Sequence, residues 1–218
     1  MDPYPPDVVR DYEPIQPKGT DWRALLRKIW APIAAVIGVA VKFGIAFAKF
    51  ASIFVAVGGY ALIWGWRFAI GIVFLILVHE MGHYLEARRQ GLHPALPVFI
   101  PFLGAYVAIK DDRNPWQHAK IALAGPILGG IGAAAVWLYG EADSSRLLQA
   151  LGYTGFLLNL FNLLPVGFLD GGHIARCWRY LRLGGARGRA FAVGFAYVAT
   201  ALLLVAGMYA AHVHQGRL

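Results

Sequence analysis

The chain is poor in cysteine and poor in charge. A single cysteine, Cys177, stands among 218 residues, so an internal disulfide is impossible. Charged residues make up 15% of the sequence and hydrophobic ones 58%. Soluble domains carry about 25% charge, so a soluble globule is not expected. No internal repeat is present, which argues against an inverted-repeat transporter. No basic segment precedes a short apolar core at the start, so a signal peptide is not expected. Residues 1–20 are acidic and proline-rich and read as a disordered cytoplasmic tail.

The net charge of +8 could suggest a nucleic-acid partner. Its distribution argues otherwise, because Lys and Arg gather where apolar runs end, as in membrane proteins. Nucleic-acid binding is therefore not expected. Cys177 lies near Arg176 and Arg179, which could lower its pKa, but an incidental small apolar residue is the plainer reading.

A membrane span needs about 20 apolar residues. Phe50–Trp66, Phe68–Leu85, Ile121–Gly140, Leu147–Leu169 and Ala190–Ala211 fit that need, and the first can be extended by a snorkelling Lys49. Residues 21–49 are ambiguous. Their basic residues alternate with Trp22, Leu25, Leu26, Ile29 and Trp30, which suits an interfacial amphipathic helix or a partial span. The expected fold is an all-α membrane protein with about five to six transmembrane helices. Residues 50–173 form its core, 174–189 a basic cytoplasmic segment, and 190–218 a last helix with a short tail. Loop charge puts Arg88–Arg89, Lys110 and Arg113, and the Arg176–Arg189 cluster on the cytoplasmic side. The N-terminus is then cytoplasmic, and the cell membrane is the expected location.

Pro94, Pro97 and Pro101 exclude a regular helix between the second and third spans. Val98, Phe99, Ile100, Tyr106, Val107 and Ile109 favour extended chain around a turn at Gly104. A short re-entrant β-hairpin-like segment is expected near residues 97–109. Asn114-Pro115 then reads as the N-cap and first position of the next helix.

The chemistry lies in His79-Glu80-Met81-Gly82-His83, a His-Glu-x-x-His motif inside an apolar helix. Residues four apart share one helix face, so two neutral imidazoles can bind one Zn2+ ion. Glu80 points to a neighbouring direction and can take a proton from the attacking water, then pass it to the leaving amine. Ionisable residues within a span are costly and are usually functional. A third protein ligand is expected at a catalytic zinc site. Asp170 is the other acid in the bilayer-embedded sequence. It follows the Leu147–Leu169 run, where Gly171-Gly172 would break the helix and let backbone approach the metal.

Three stretches resemble the site-2 protease family. They are His79–His83; Asn162-Leu163-Leu164-Pro165 running into Leu169-Asp170-Gly171-Gly172; and Ala124-Gly125-Pro126. The resemblance covers about half of the chain, from Phe68 to His173. It implies zinc ligation by His79, His83 and Asp170, with Glu80 as catalytic base. It also implies that Asn162 orients substrate or a developing oxyanion. Asn162 can equally be read as an interhelical hydrogen-bonding residue, with Asn159 as its companion. The implied substrates are transmembrane proteins, cut in or near a membrane helix, and the 97–109 hairpin would pair with the unwound substrate. An added soluble domain, common in the family, is not expected, and Gly104-Ala105 stands where many relatives have two glycines. His173 is not expected to be a ligand. The rival reading is a non-proteolytic metal-binding membrane protein, either a transporter or an inactive protease-like scaffold. Neither of those would need Glu80.

Overall fold

A computed structural model describes residues 22–100, 104–107 and 114–215. The expected tail at 1–20 lies outside the described residues. Six helices and one two-stranded ribbon make up what is described: α1 Trp22–Trp64, α2 Trp66–Arg89, β1 Val98–Ile100, β2 Gly104–Tyr106, α3 Pro115–Ala142, α4 Arg146–Asn162, α5 Asp170–Leu183 and α6 Arg187–Gln215. The chain divides into two units, Met1–Ile45 and Ala46–Leu218. In the first unit, residues 22–45 are the opening stretch of α1.

Among the described residues, four helices are long and apolar enough to cross a membrane: Ile37–Trp64, Trp66–Arg89, Pro115–Ala142 and Arg187–His212. Together with the helical architecture they define an all-α integral membrane protein. Two boundaries differ from the sequence reading. The interfacial helix or partial span expected at 21–49 and the first span are one uninterrupted helix of 43 residues. The Leu147–Leu169 run is not one helix either. α4 has 17 residues and stops at Asn162. Pro165 explains the stop, since it lacks an N–H and steers the preceding residue away from helical geometry.

A single residue, Gly65, separates α1 from α2. Its φ of 80° is a left-handed conformation that glycine adopts without strain. Asn114 caps α3 as expected, accepting a hydrogen bond from Gln117 N at 3.0 Å, with Pro115 as the first helical residue. β1 and β2 pair antiparallel in the register Val98 to Tyr106, Phe99 to Ala105 and Ile100 to Gly104. Residues 101–103 and 108–109 of the expected hairpin lie outside the described residues. Buried Phe99 donates its backbone N–H to Ser52 Oγ at 3.1 Å, which ties the ribbon to α1.

The helices meet through small residues. In lipid, helix association depends on close packing because apolar burial gives no net drive there. A Cβ on Gly82 of α2 would strike the Ala124 carbonyl of α3, and one on Gly155 of α4 would lie 2.8 Å from the Ala133 methyl of α3. Around these contacts lie two apolar clusters. One joins Ile72, Val73, Leu75 and Ile76 to Ala56, Tyr60, Phe99 and Leu151. The other gathers Ala133, Phe156, Leu163, Val193 and Leu204.

Candidate metal centre

His79 and His83 are four apart on α2, and both are buried against α3 and α4. Each ring is held by its Nδ1. His79 Nδ1 lies 2.8 Å from Asn159 Oδ1 on α4. His83 Nδ1 lies 2.8 Å from the Ile121 carbonyl on α3. Both partners are oxygen acceptors, so each Nδ1 carries the proton and donates it. In a neutral ring each Nε2 is then left with a lone pair. Asn159 is itself fixed, donating from Nδ2 to the Gly155 carbonyl at 2.7 Å. Partners of this kind set tautomer and ring orientation in metal sites.

The close approach of α3 explains the Ala124-Gly125-Pro126 segment. A Cβ on Gly125 would collide with the His83 imidazole, and a Cβ on Gly129 would collide with Asn159. Pro126 lacks an N–H and its ring crowds the Ala122 carbonyl one turn back. The adjacent carbonyl, that of Ile121, is the one that accepts from His83.

Asp170 reaches the same point from α5. Its Oδ2 lies 3.1 Å from His79 Nε2 and its Oδ1 lies 3.4 Å from His83 Nε2. The two Nε2 atoms are 3.1 Å apart. Asp170 is the first residue of α5, not the end of the preceding helix. A carboxylate in a first helical turn is favoured by the helix dipole. The glycines after it do not break the helix, because both belong to its first turn. They let that turn press on the preceding loop instead. A Cβ on Gly171 would strike the Leu163 carbonyl, and one on Gly172 would lie 2.8 Å from the carbonyls of Val166 and Gly167. The loop is held further by Arg176 Nη1, which donates to Gly167 O at 2.8 Å, and by Tyr197 OH, which donates to Leu163 O at 2.7 Å.

Two imidazole lone pairs and a carboxylate thus face one another across 3.1–3.4 Å. In neutral rings with the proton on Nδ1, no proton lies between them, and buried Asp170 Oδ2 has no hydrogen-bond partner. A cation resolves that repulsion. Zinc bonds of about 2.0–2.1 Å at tetrahedral angles separate ligand atoms by about 3.3–3.4 Å, so the triangle has the size for one zinc ion. Glu80 is buried beside it, with a carboxylate oxygen within 4.8 Å of the histidine nitrogens. Asp170 keeps 16% of its side chain exposed, which leaves an approach to the centre.

Asn162 is the last residue of α4 and is half-buried. Among the described residues its side chain makes no hydrogen bond to this centre. Asn159, one turn earlier, is the residue that does, and the sequence offered it only as a companion. His173 lies off the triangle with its ring 5.1 Å from that of His118. Burial, then the neighbouring Arg176, holds the His173 pKa below the usual imidazole value. Cys177 is not activated by its arginine neighbour, since burial pushes its thiol up.

The family model of peptidase family M50 matches residues 67–142 and 138–206, more than half of the chain. The chain belongs to that family, the site-2 protease family that its motifs resemble. It is similar to the protein named zinc metalloprotease Rip3 of Mycobacterium tuberculosis, 30% identical over 162 residues, covering 69% of this chain and 41% of that protein. It is also similar to zinc metalloprotease MJ0392 of Methanocaldococcus jannaschii, 25% identical over 148 residues, covering 65% of this chain and 43% of the relative. A third relative, the protein named zinc metalloprotease sll0528 of Synechocystis, is 29% identical over 124 residues, covering 55% and 33%. The chain thus spans about two fifths of the length of Rip3 that it matches.

Proposed function

We propose that this chain is a membrane zinc metalloprotease that hydrolyses a peptide bond in or near a transmembrane helix of another membrane protein. The observation that carries the reading is the triangle of His79 Nε2, His83 Nε2 and an Asp170 carboxylate, with Glu80 buried beside it. His79, His83 and Asp170 are the zinc ligands in this reading. Zinc held there supplies a Lewis acid that polarises the scissile carbonyl and makes water acidic enough to ionise near neutral pH. Glu80 takes the proton of the attacking water and gives it to the departing amine, so the proton count closes within one turnover. Asn162, beside the centre in sequence, orients the substrate or the developing oxyanion.

A helical peptide bond hides its carbonyl in its own hydrogen-bond ladder, so a substrate helix has to unwind before attack. The ribbon of β1 and β2 offers a strand edge on which unwound chain can pair. Such a substrate lies in the same bilayer, in the reading favoured here the cell membrane, with the enzyme's N-terminus in the cytoplasm. A carrier or scaffold would hold the ion equally well but has no use for a buried base beside it.

The test is co-expression with tagged single-span membrane proteins, comparing wild type with Glu80→Gln and measuring bound zinc in each. Cleavage by wild type alone, with zinc retained in both, is the expected result. Equal cleavage by the variant removes Glu80 from the reaction, and zinc-loaded wild type that cuts no candidate supports the carrier or scaffold.

A further inference from the structure

An open groove of about 380 Å³ runs along the outside of the α2–α3 pair. Its apolar wall includes Leu85, Leu123, Ile127 and Leu128, and its far end is ionic, with Glu86, Arg89 and Lys120. We propose that this groove binds one anionic phospholipid, with an acyl chain along the apolar wall and the phosphate at Arg89 and Lys120.

The ionic end is arranged for an anion. Glu86 is already satisfied within the protein. Its Oε2 accepts from Arg89 Nε at 2.6 Å, and its Oε1 accepts from Arg89 Nη2 at 3.0 Å and from Gln90 Nε2 at 2.7 Å. Lys120 Nζ stands 3.9 Å from that carboxylate, beyond hydrogen-bonding distance. Its ammonium is instead placed 5.7 Å from the centre of the Trp116 ring. The cluster therefore has one more cation than anion, and Arg88 is adjacent in sequence. Arg89 is clamped by two bonds to Glu86 but is 70% exposed, so its remaining N–H groups face outward.

Position selects a lipid over a soluble anion. Both walls belong to helices long and apolar enough to cross a membrane. The ionic end coincides with the end of α2 and the start of α3, where Trp116 and the basic residues mark the headgroup level. A soluble anion would use the cations but leave the apolar wall bare. Basic pockets between membrane helices recognise acidic headgroups, with each cation contributing about fivefold in affinity.

The experiment uses the full chain, delipidated in detergent, titrated with phosphatidylglycerol or phosphatidylcholine of identical acyl chains and read by native mass spectrometry. One tightly held phosphatidylglycerol is expected, favoured about fivefold over phosphatidylcholine for the one uncompensated cation. The double variant Arg89→Gln/Lys120→Gln should lose that preference, and Ile127→Trp should weaken phosphatidylglycerol binding by filling the wall. Zinc content equal to wild type reports that each variant is folded. Equal binding of the two lipids by wild type overturns the proposal without recourse to any variant. So does a preference that survives in a folded double variant, or displacement of the lipid by inorganic phosphate at equal concentration.

Discussion

Tyr197 on the last helix donates its hydroxyl to the Leu163 carbonyl at 2.7 Å, and the Leu163 carbonyl is the group against which Gly171 packs. A residue of α6 thereby steadies the turn that carries Asp170. Tyr197→Phe removes one hydrogen bond, about 1 kcal/mol. The expected result is a folded protein whose zinc affinity falls about fivefold, measured by competition with a chromophoric chelator. Unchanged affinity would reduce Tyr197 to a packing residue.

The two asparagines separate in the same assay. Asn159→Ala frees the His79 ring and should weaken zinc binding by about 10–100-fold, the usual effect of losing a group that orients a ligand. Asn162→Ala should leave zinc affinity as it was and slow cleavage. If the zinc effect falls on Asn162 instead, the hydrogen-bond assignment around His79 is wrong.

A methyl group can test the packing of α3 on α2. Gly125→Ala places a Cβ into the His83 ring. Thermal unfolding should show a loss of about 1–3 kcal/mol, with zinc binding impaired. Gly188→Ala, where a Cβ meets nothing within 4 Å, is the control and should be neutral or stabilising by up to about 1 kcal/mol.

Cys177 is buried and its thiol is pushed up by that burial. Thiolate is the reactive form, so a maleimide at neutral pH should label the native protein slowly and the denatured protein fully. Fast labelling of the native protein would mean that α3 and α6 do not cover this side chain of α5.

Much of this was legible in the sequence because it depends on short range or on rare residues. His79, Glu80 and His83 share a helix, so their relation follows from helical spacing alone. Asp170 stood out because acids are scarce in apolar sequence. Asn159 was not legible as the partner of His79. The two lie 80 residues apart, and only the packing of α4 on α2 and α3 decides which of two asparagines on one helix faces the imidazole. The break between α4 and α5 was misplaced because Gly171-Gly172 looked like the stronger breaker, whereas Pro165 acts earlier and the glycines serve contact inside a helix. The continuity of α1 was missed for another reason. Charge does not interrupt a helix, and α1 is helical through both Lys42 and Lys49.

The pinning of both Nδ1 protons has a consequence for ion exchange. Neither ring can turn over to present its other nitrogen without abandoning a partner on another helix. If His79, His83 and Asp170 hold the ion as proposed, stripping it with a chelator would leave both rings still tied to their partners. A site of that size would favour ions that accept tetrahedral surroundings, such as Zn2+ and Co2+, over an ion that prefers square-planar surroundings.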